Sequence, residues 1–190
     1  LRDVKGAGMR LKMASLTGTN LTGGSFPGAS LWRANLLQAI VQDVDLSGAD
    51  LTEANFHAVN LSGSNFAGAT MIRTSLTKTN MIGVNLSGAD LTGANLSEAK
   101  LHDADMRGAN MHKADLPTAD MTGANLRGAS FEDANLTWST MVNADLRGVN
   151  FSKANLGSAD LSGADLSGAN LTGARFCKTK MPTGMDNSDC

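Results

Sequence analysis

The chain has 190 residues, a formal net charge of −2 and a pI near 5.9, so no strong field favours nucleic acid or an anionic membrane. The sequence contains no apolar run of about 18 residues, the length a membrane-spanning helix requires. Aromatic residues make up 4% with no Tyr, and Gly is frequent at 21; composition alone would suggest weak folding, and the order of the residues reverses that reading.

Residues 1–10 fall outside the pattern that follows. Gly6 occupies what becomes a core register, and Lys5 and Arg10 stand where later repeats carry Asn or Asp. This segment is predicted to be a lead-in that caps the first coil, since an open coil is an unpaired sheet edge.

From Leu11 the chain repeats every five residues. The 35 positions Leu11, Leu16, Leu21 and onward to Met181 are all apolar: 21 Leu, 7 Met, 6 Phe and 1 Val. Two residues earlier stands a small residue, Ala at 23 of 34 positions, and the residue between the two is Asn or Asp at 23 of 34. Two residues after the large one is the preferred place for Gly, which takes 16 of the 21 glycines.

Alternate side chains of extended backbone face opposite ways, so the small and large residues share one face and the Asn or Asp takes the other. After two inward residues the chain must turn, and Gly accepts the positive φ that a turn needs. A period of five fits neither a helix nor a long flat strand. It fits a short extended segment and a corner, repeated.

Stretches such as Ala89-Asp90-Leu91-Thr92-Gly93 and Ala164-Asp165-Leu166-Ser167-Gly168 resemble the pentapeptide-repeat family, with its A-(D/N)-L-x-x unit. The resemblance implies an all-β fold, the right-handed quadrilateral parallel β-helix of that family. At 20 residues per coil, residues 11–181 give about 8.5 coils. The expected organisation is a lead-in over 1–10, the β-helix over 11–181 and a C-terminal tail or cap over 182–190. In such coils large residues stack in columns, as Leu16, Leu36, Phe56, Leu76 and Leu96 do. The methionines read as core filler, since a flexible thioether suits irregular gaps.

Both cysteines lie at the end of the chain, Cys177 and Cys190. A bond between them would staple the tail, which contains Pro182 and Gly184, across the last coil. Two free thiols in a reducing cytosol, or a redox or metal role, are the other readings; a disulfide would imply an oxidising compartment. The segment Phe176-Cys177-Lys178-Thr179-Lys180-Met181-Pro182-Thr183-Gly184 followed by Cys190 resembles the ending of cyanobacterial and chloroplast-lumen pentapeptide-repeat proteins. That resemblance implies the thylakoid lumen, with a periplasmic or extracellular setting as the alternative and the cytoplasm if the thiols are free.

No catalytic signature is present: nothing matches a P-loop, a nucleophile elbow or a zinc-binding H-E-x-x-H. His57, His102 and His112 fall on three different faces at 20 residues per coil, so no pair could share a metal. No catalytic residue, cofactor, metal or small-molecule substrate is predicted, and the chain is read as not an enzyme.

Two side-chain sets remain as candidate partner contacts. Arg107, Arg127 and Arg147 are 20 apart and stack on one face, beside Asp105, Asn125, Asp145 and Asp165; they form either a self-compensating ion network or a stripe for an acidic partner. Large apolar residues also stand outward, at Trp32, Leu37, Ile72, Ile82, Trp138 and Val142. Trp32 and Ile72 share a face, and an outward Trp is a common anchor for a partner.

The favoured function is therefore a structural or interaction protein that docks a protein partner by a rigid face. A lumenal setting implies the lumenal face of a photosynthetic membrane complex as the kind of partner, with no nucleic acid and no insertion into the membrane. The alternative is a DNA mimic that protects a type II topoisomerase (gyrase), as some pentapeptide-repeat relatives do. A mimic needs a continuous acidic stripe, whereas here the Asp column at 105, 145 and 165 stands beside arginines and the net charge is −2.

Overall fold

In the computed structural model, which describes residues 2–190, every repeat as far as Arg175 supplies one bridging residue and one tight turn. From Lys5 to Asp160, each bridging residue pairs in parallel with the residue twenty positions later. One circuit of the chain therefore takes four repeats. The ladder is regular: the Leu46 N–H donates to Asn65 O at 2.7 Å, and the Asn65 N–H donates back to Val44 O at 2.9 Å.

The turn explains the sequence pattern. Ala49 N–H donates to Leu46 O at 3.1 Å, closing a four-residue turn whose third residue, Gly48, has φ 61°; positive φ there is the mark of a type II turn. The Asn or Asp before the large residue helps to start it. Asp45 Oδ1 accepts from Ser47 N–H at 3.1 Å and Asn35 Oδ1 from Leu37 N–H at 3.1 Å, the Asx turn that these short side chains favour. Their amides also join successive coils, as Asn85 Nδ2 donates to Asn65 Oδ1 at 3.0 Å and Asn65 Nδ2 to Asp45 Oδ1 at 3.1 Å.

Glycine is not required at the corner. Nineteen other residues adopt the same positive φ, among them Arg33 (54°), Glu53 (58°), Lys78 (58°) and Trp138 (61°). The ladder above and below over-determines the turn, so an L side chain is held in a conformation it would otherwise avoid.

Inside, every large register residue from Leu16 to Leu161 is buried, and Leu61, Leu91 and Leu126 are fully so. Each such side chain stabilises the fold by roughly 1.5–3 kcal/mol before chain entropy is subtracted. Four of the six phenylalanines meet in pairs: Phe56 and Phe66 edge to face at 6.2 Å, Phe131 and Phe151 stacked at 5.4 Å. Where a hydroxyl replaces the small Ala it is satisfied internally. Ser64 Oγ donates to Val41 O at 2.7 Å and accepts from Val44 N–H at 3.1 Å.

The ends depart from the plain repeat. Coil pairing already includes Lys5 with Ser25 and Arg10 with Ser30, within the segment expected to be a lead-in. Neighbours fill the place Gly6 leaves: a Cβ there would lie 2.6 Å from Met9 Cε and 3.0 Å from Phe26 Cδ1. At the other end the chain forms an antiparallel hairpin of β1 (Thr179–Met181) and β2 (Gly184–Asp186), while Lys180 still pairs with Asp160 in the coil ladder. No helix is long and apolar enough to cross a membrane, and no cavity is found among the described residues.

Candidate interaction surfaces

The outward columns are set by the twenty-residue circuit, so each face is a stack of side chains roughly 4.7–4.9 Å apart. Arg107, Arg127 and Arg147 occupy one such column, but they are not equivalent. Arg107 grips its own coil's Asp105, with Nε at 2.8 Å from Oδ1 and Nη2 at 2.6 Å from Oδ2. Arg147 grips Asp145 with the same two distances and lies 3.8 Å from Asp165. In the middle coil the acid is replaced by Asn125, which accepts the Arg127 backbone N–H at 3.3 Å. The Arg127 guanidinium is exposed and makes no ion pair or hydrogen bond among the described residues.

The charge-assisted bonds are felt by the acids. The Arg147 side-chain hydrogen bonds hold Asp145 down at about 2, with smaller Coulombic help from Arg147 and Arg127. The Arg107 side chain lowers Asp105 in the same way. A second charged ladder went unremarked in the sequence: Glu53 accepts from Arg33 on one side and from Arg73 at 2.7 Å on the other. The Arg33 hydrogen bond is the main cause of the lowered Glu53 pKa. Its signal was the alternation of sign at twenty-residue spacing.

The apolar candidates also separate. Trp32 is partly covered, with the Arg33 guanidinium 4.5 Å from its ring centroid, so its π face is already engaged. Ile72, two coils on, is half-buried. Trp138 differs: it stands at a corner rather than on a flat side and is 66% exposed. In its corner column the adjacent coils carry the uncharged Thr118 and Ser158, with Glu98 and Lys178 one coil further on either side, and Asp120 and Asp160 flank Thr140 on the adjoining face. Ile40 and Met13 are exposed as well, at 44% and 67%, and were not singled out from the sequence.

The histidines are dispersed, with His57 beside Thr77 and His102 Nε2 2.8 Å from Asp120. No cluster of metal-ligating side chains occurs among the described residues. At the C-terminal end Cys177 and Cys190 are disulfide-bonded, their Cα atoms 4.7 Å apart. The tail also bonds to the coil edge: Phe176 N–H donates to Asp189 Oδ2 at 2.6 Å, Asp189 N–H to Phe176 O at 2.8 Å, and Lys178 N–H to Asn187 Oδ1 at 3.1 Å. These side-chain oxygens stand in for the carbonyls that a further coil would supply.

A family model described as pentapeptide repeats matches in eight copies, over residues 14–52, 54–93, 85–123, 129–168 and 144–181. No curated protein matches the chain. Among solved structures, QnrB1, a plasmid-mediated fluoroquinolone resistance protein, is 20% identical over 87% of this chain and 90% of its own, with a TM-score of 0.59, a likeness of fold. HetL, a pentapeptide repeat protein involved in heterocyst differentiation regulation from the cyanobacterium Nostoc sp. strain PCC 7120, is 30% identical over 96% of this chain and 91% of its own, with a TM-score of 0.43. A pentapeptide repeat protein from the Arabidopsis thaliana thylakoid lumen is 33% identical over 64% of this chain and 67% of its own, with a TM-score of 0.22. With the repeat matched along most of 14–181 and a parallel ladder that advances twenty residues per circuit, this chain belongs to the pentapeptide-repeat family, whose members are right-handed β-helices that act generally as structural or interaction modules.

Proposed function

We propose that this chain is a non-enzymatic docking protein that holds a protein partner against a rigid face of its β-helix, in the thylakoid lumen or another oxidising compartment. The observation that carries the reading is Trp138. A bulky residue at φ 61° is strained, and at 66% exposure this one gains little packing within the chain. An exposed aromatic whose corner neighbours in the adjacent coils, Thr118 and Ser158, are small and uncharged has the composition of an interface anchor.

The rest of the molecule suits that role. A quadrilateral shaft of about 8.5 coils over 11–181 has few internal freedoms to lose, which lowers the ordering penalty of association. The Cys177–Cys190 bond supports an oxidising compartment, and the tail's resemblance to lumenal pentapeptide-repeat proteins favours the thylakoid lumen, where the lumenal face of a photosynthetic complex is the partner class. A DNA mimic for a topoisomerase is the weaker reading, because Arg107 and Arg147 neutralise Asp105 and Asp145 where an acidic stripe would have to run.

Cross-linking of the protein in its native compartment, followed by mass spectrometry of the linked peptides, tests this. A single partner linked around residues 117–158, and lost with Trp138→Ser, is the expected result. Isolation of the protein without a stoichiometric partner, or links spread evenly over all faces, would overturn it.

A further inference from the structure

We infer that Arg127 is an open binding position for one carboxylate of a protein partner, an Asp or Glu side chain presented from a flat surface. The inference rests on the docking function above and names a second contact for it, on a different face from Trp138.

Three successive coils carry the same Arg in the same column. In the coils before and after, an Asp two residues earlier fills the guanidinium fork through two hydrogen bonds of 2.6 and 2.8 Å. In the middle coil the residue is Asn125, which accepts the Arg127 backbone N–H as the two Asp accept theirs but has no carboxylate to offer the guanidinium. The Arg127 fork therefore lacks the one group that its two neighbours have. What is missing has a defined chemistry: a carboxylate, which matches the planar fork with two parallel bonds.

Internal acids do not fill it. Asp105 and Asp145 are each held by their own arginine, and Asp165 lies toward Arg147. Arg127 reaches Asp145 as a distant Coulombic contribution and not as a hydrogen bond. The approach is open from the side. The corner next to this column is Gly108, Gly128 and Gly148, and a Cβ at any of them would meet nothing within 4 Å. That whole corner is glycine at all nine positions from Gly8 to Gly168, although the other corners accept Arg, Glu, Lys and Trp at the same φ. A surface that follows this edge meets backbone and the Arg column without an intervening side chain.

The substitution Asn125→Asp supplies the missing carboxylate from within the chain and so provides the test. With 15N-labelled protein, the three Arg Nε–Hε resonances are followed during titration with a blocked glycine peptide containing one central Asp, at constant ionic strength. In the native chain Arg127 should shift saturably while Arg107 and Arg147 stay in place. In Asn125→Asp the Arg127 resonance should start near the position of its two neighbours and no longer respond. Equal movement of all three, an immobile Arg127, or an unchanged response in Asn125→Asp would overturn the inference. None of these outcomes touches the Trp138 cross-linking result, so the two readings fail separately.

Discussion

Asp145 and Arg147, two residues apart on one coil, form a closed fork, with Nε at 2.8 Å and Nη2 at 2.6 Å from the two carboxylate oxygens. The Asp145 carboxyl is thereby lowered from its ordinary 3.8 to about 2. The folded state binds this proton more weakly than the unfolded state, so the pair stabilises the fold fully above pH 3.8 and loses that contribution as pH falls through about 2. Carboxylate NMR should place Asp145 near the low end of this window. In Arg147→Ala it should titrate at a clearly higher pH, and an unmoved titration would show that the hydrogen bonds are not the cause.

The second prediction concerns the tail. Cys190 is tethered to Cys177, and Asp189 and Asn187 cap N–H groups of the coil edge at Phe176 and Lys178. Closing a loop of this size contributes on the order of 3 kcal/mol in the chain-entropy model. In a solenoid each coil contacts mainly its neighbours, so reduction should raise amide exchange at 176–190 first and leave the Leu86–Leu126 coils unchanged. Thiol titration of unreduced, denatured protein should find no free thiol. Two titratable thiols after purification without reductant would remove both the staple and the case for an oxidising compartment.

Gly24 and Gly48 separate two meanings of glycine in this fold. Gly24 sits in the small inward register, where Ala is the majority residue, yet a Cβ there would lie 2.5 Å from Phe26 Cε2 and 2.8 Å from Leu21 O. The consensus change Gly24→Ala should therefore destabilise by about 1–3 kcal/mol through overpacking. Gly48 is a corner with φ 61° and open space around it. Asn tolerates that conformation, so Gly48→Asn should stay within about 0.5 kcal/mol of the native chain. Denaturant unfolding of the two variants decides; equal losses would mean that corner strain, and not the Phe26 contact, governs both.

Much of this architecture is legible in the sequence because one period controls it. Leu61, Leu91 and Leu126 read as inward from spacing alone and are fully buried. What the period hides is whatever depends on contacts between coils. Asn and Asp were read as outward residues, and their service as turn acceptors, as in Asp45 to Ser47, needs the local geometry. Glycine was read as the turn residue, yet Glu53 and Lys78 hold the same φ because the ladder enforces it. The Arg column was visible as a column. That Arg107 and Arg147 are occupied and Arg127 is free turns on the Asp-to-Asn change at 125 combined with side-chain geometry. Trp138 was visible as an outlier, but its place at a strained corner follows from the turn.

That corner gives the final prediction, the behaviour of Trp138→Gly. Truncating a large aromatic side chain in a packed core normally loses about 3–5 kcal/mol. Two smaller effects oppose each other here. The third of the Trp138 surface that is shielded contributes at most about 2 kcal/mol by area. Glycine in turn relieves about 1–2 kcal/mol of left-handed strain at φ 61°. The variant should therefore unfold within about 1 kcal/mol of the native chain, whereas Phe131→Ala, whose ring is buried against Phe151, should lose the full core amount. Association with the partner should respond oppositely, falling by about 2 kcal/mol or roughly 30-fold for Trp138→Gly, the size expected of an interface anchor. A loss of several kcal/mol in folding with unchanged partner binding would make Trp138 a packing residue and remove the observation on which the docking function stands.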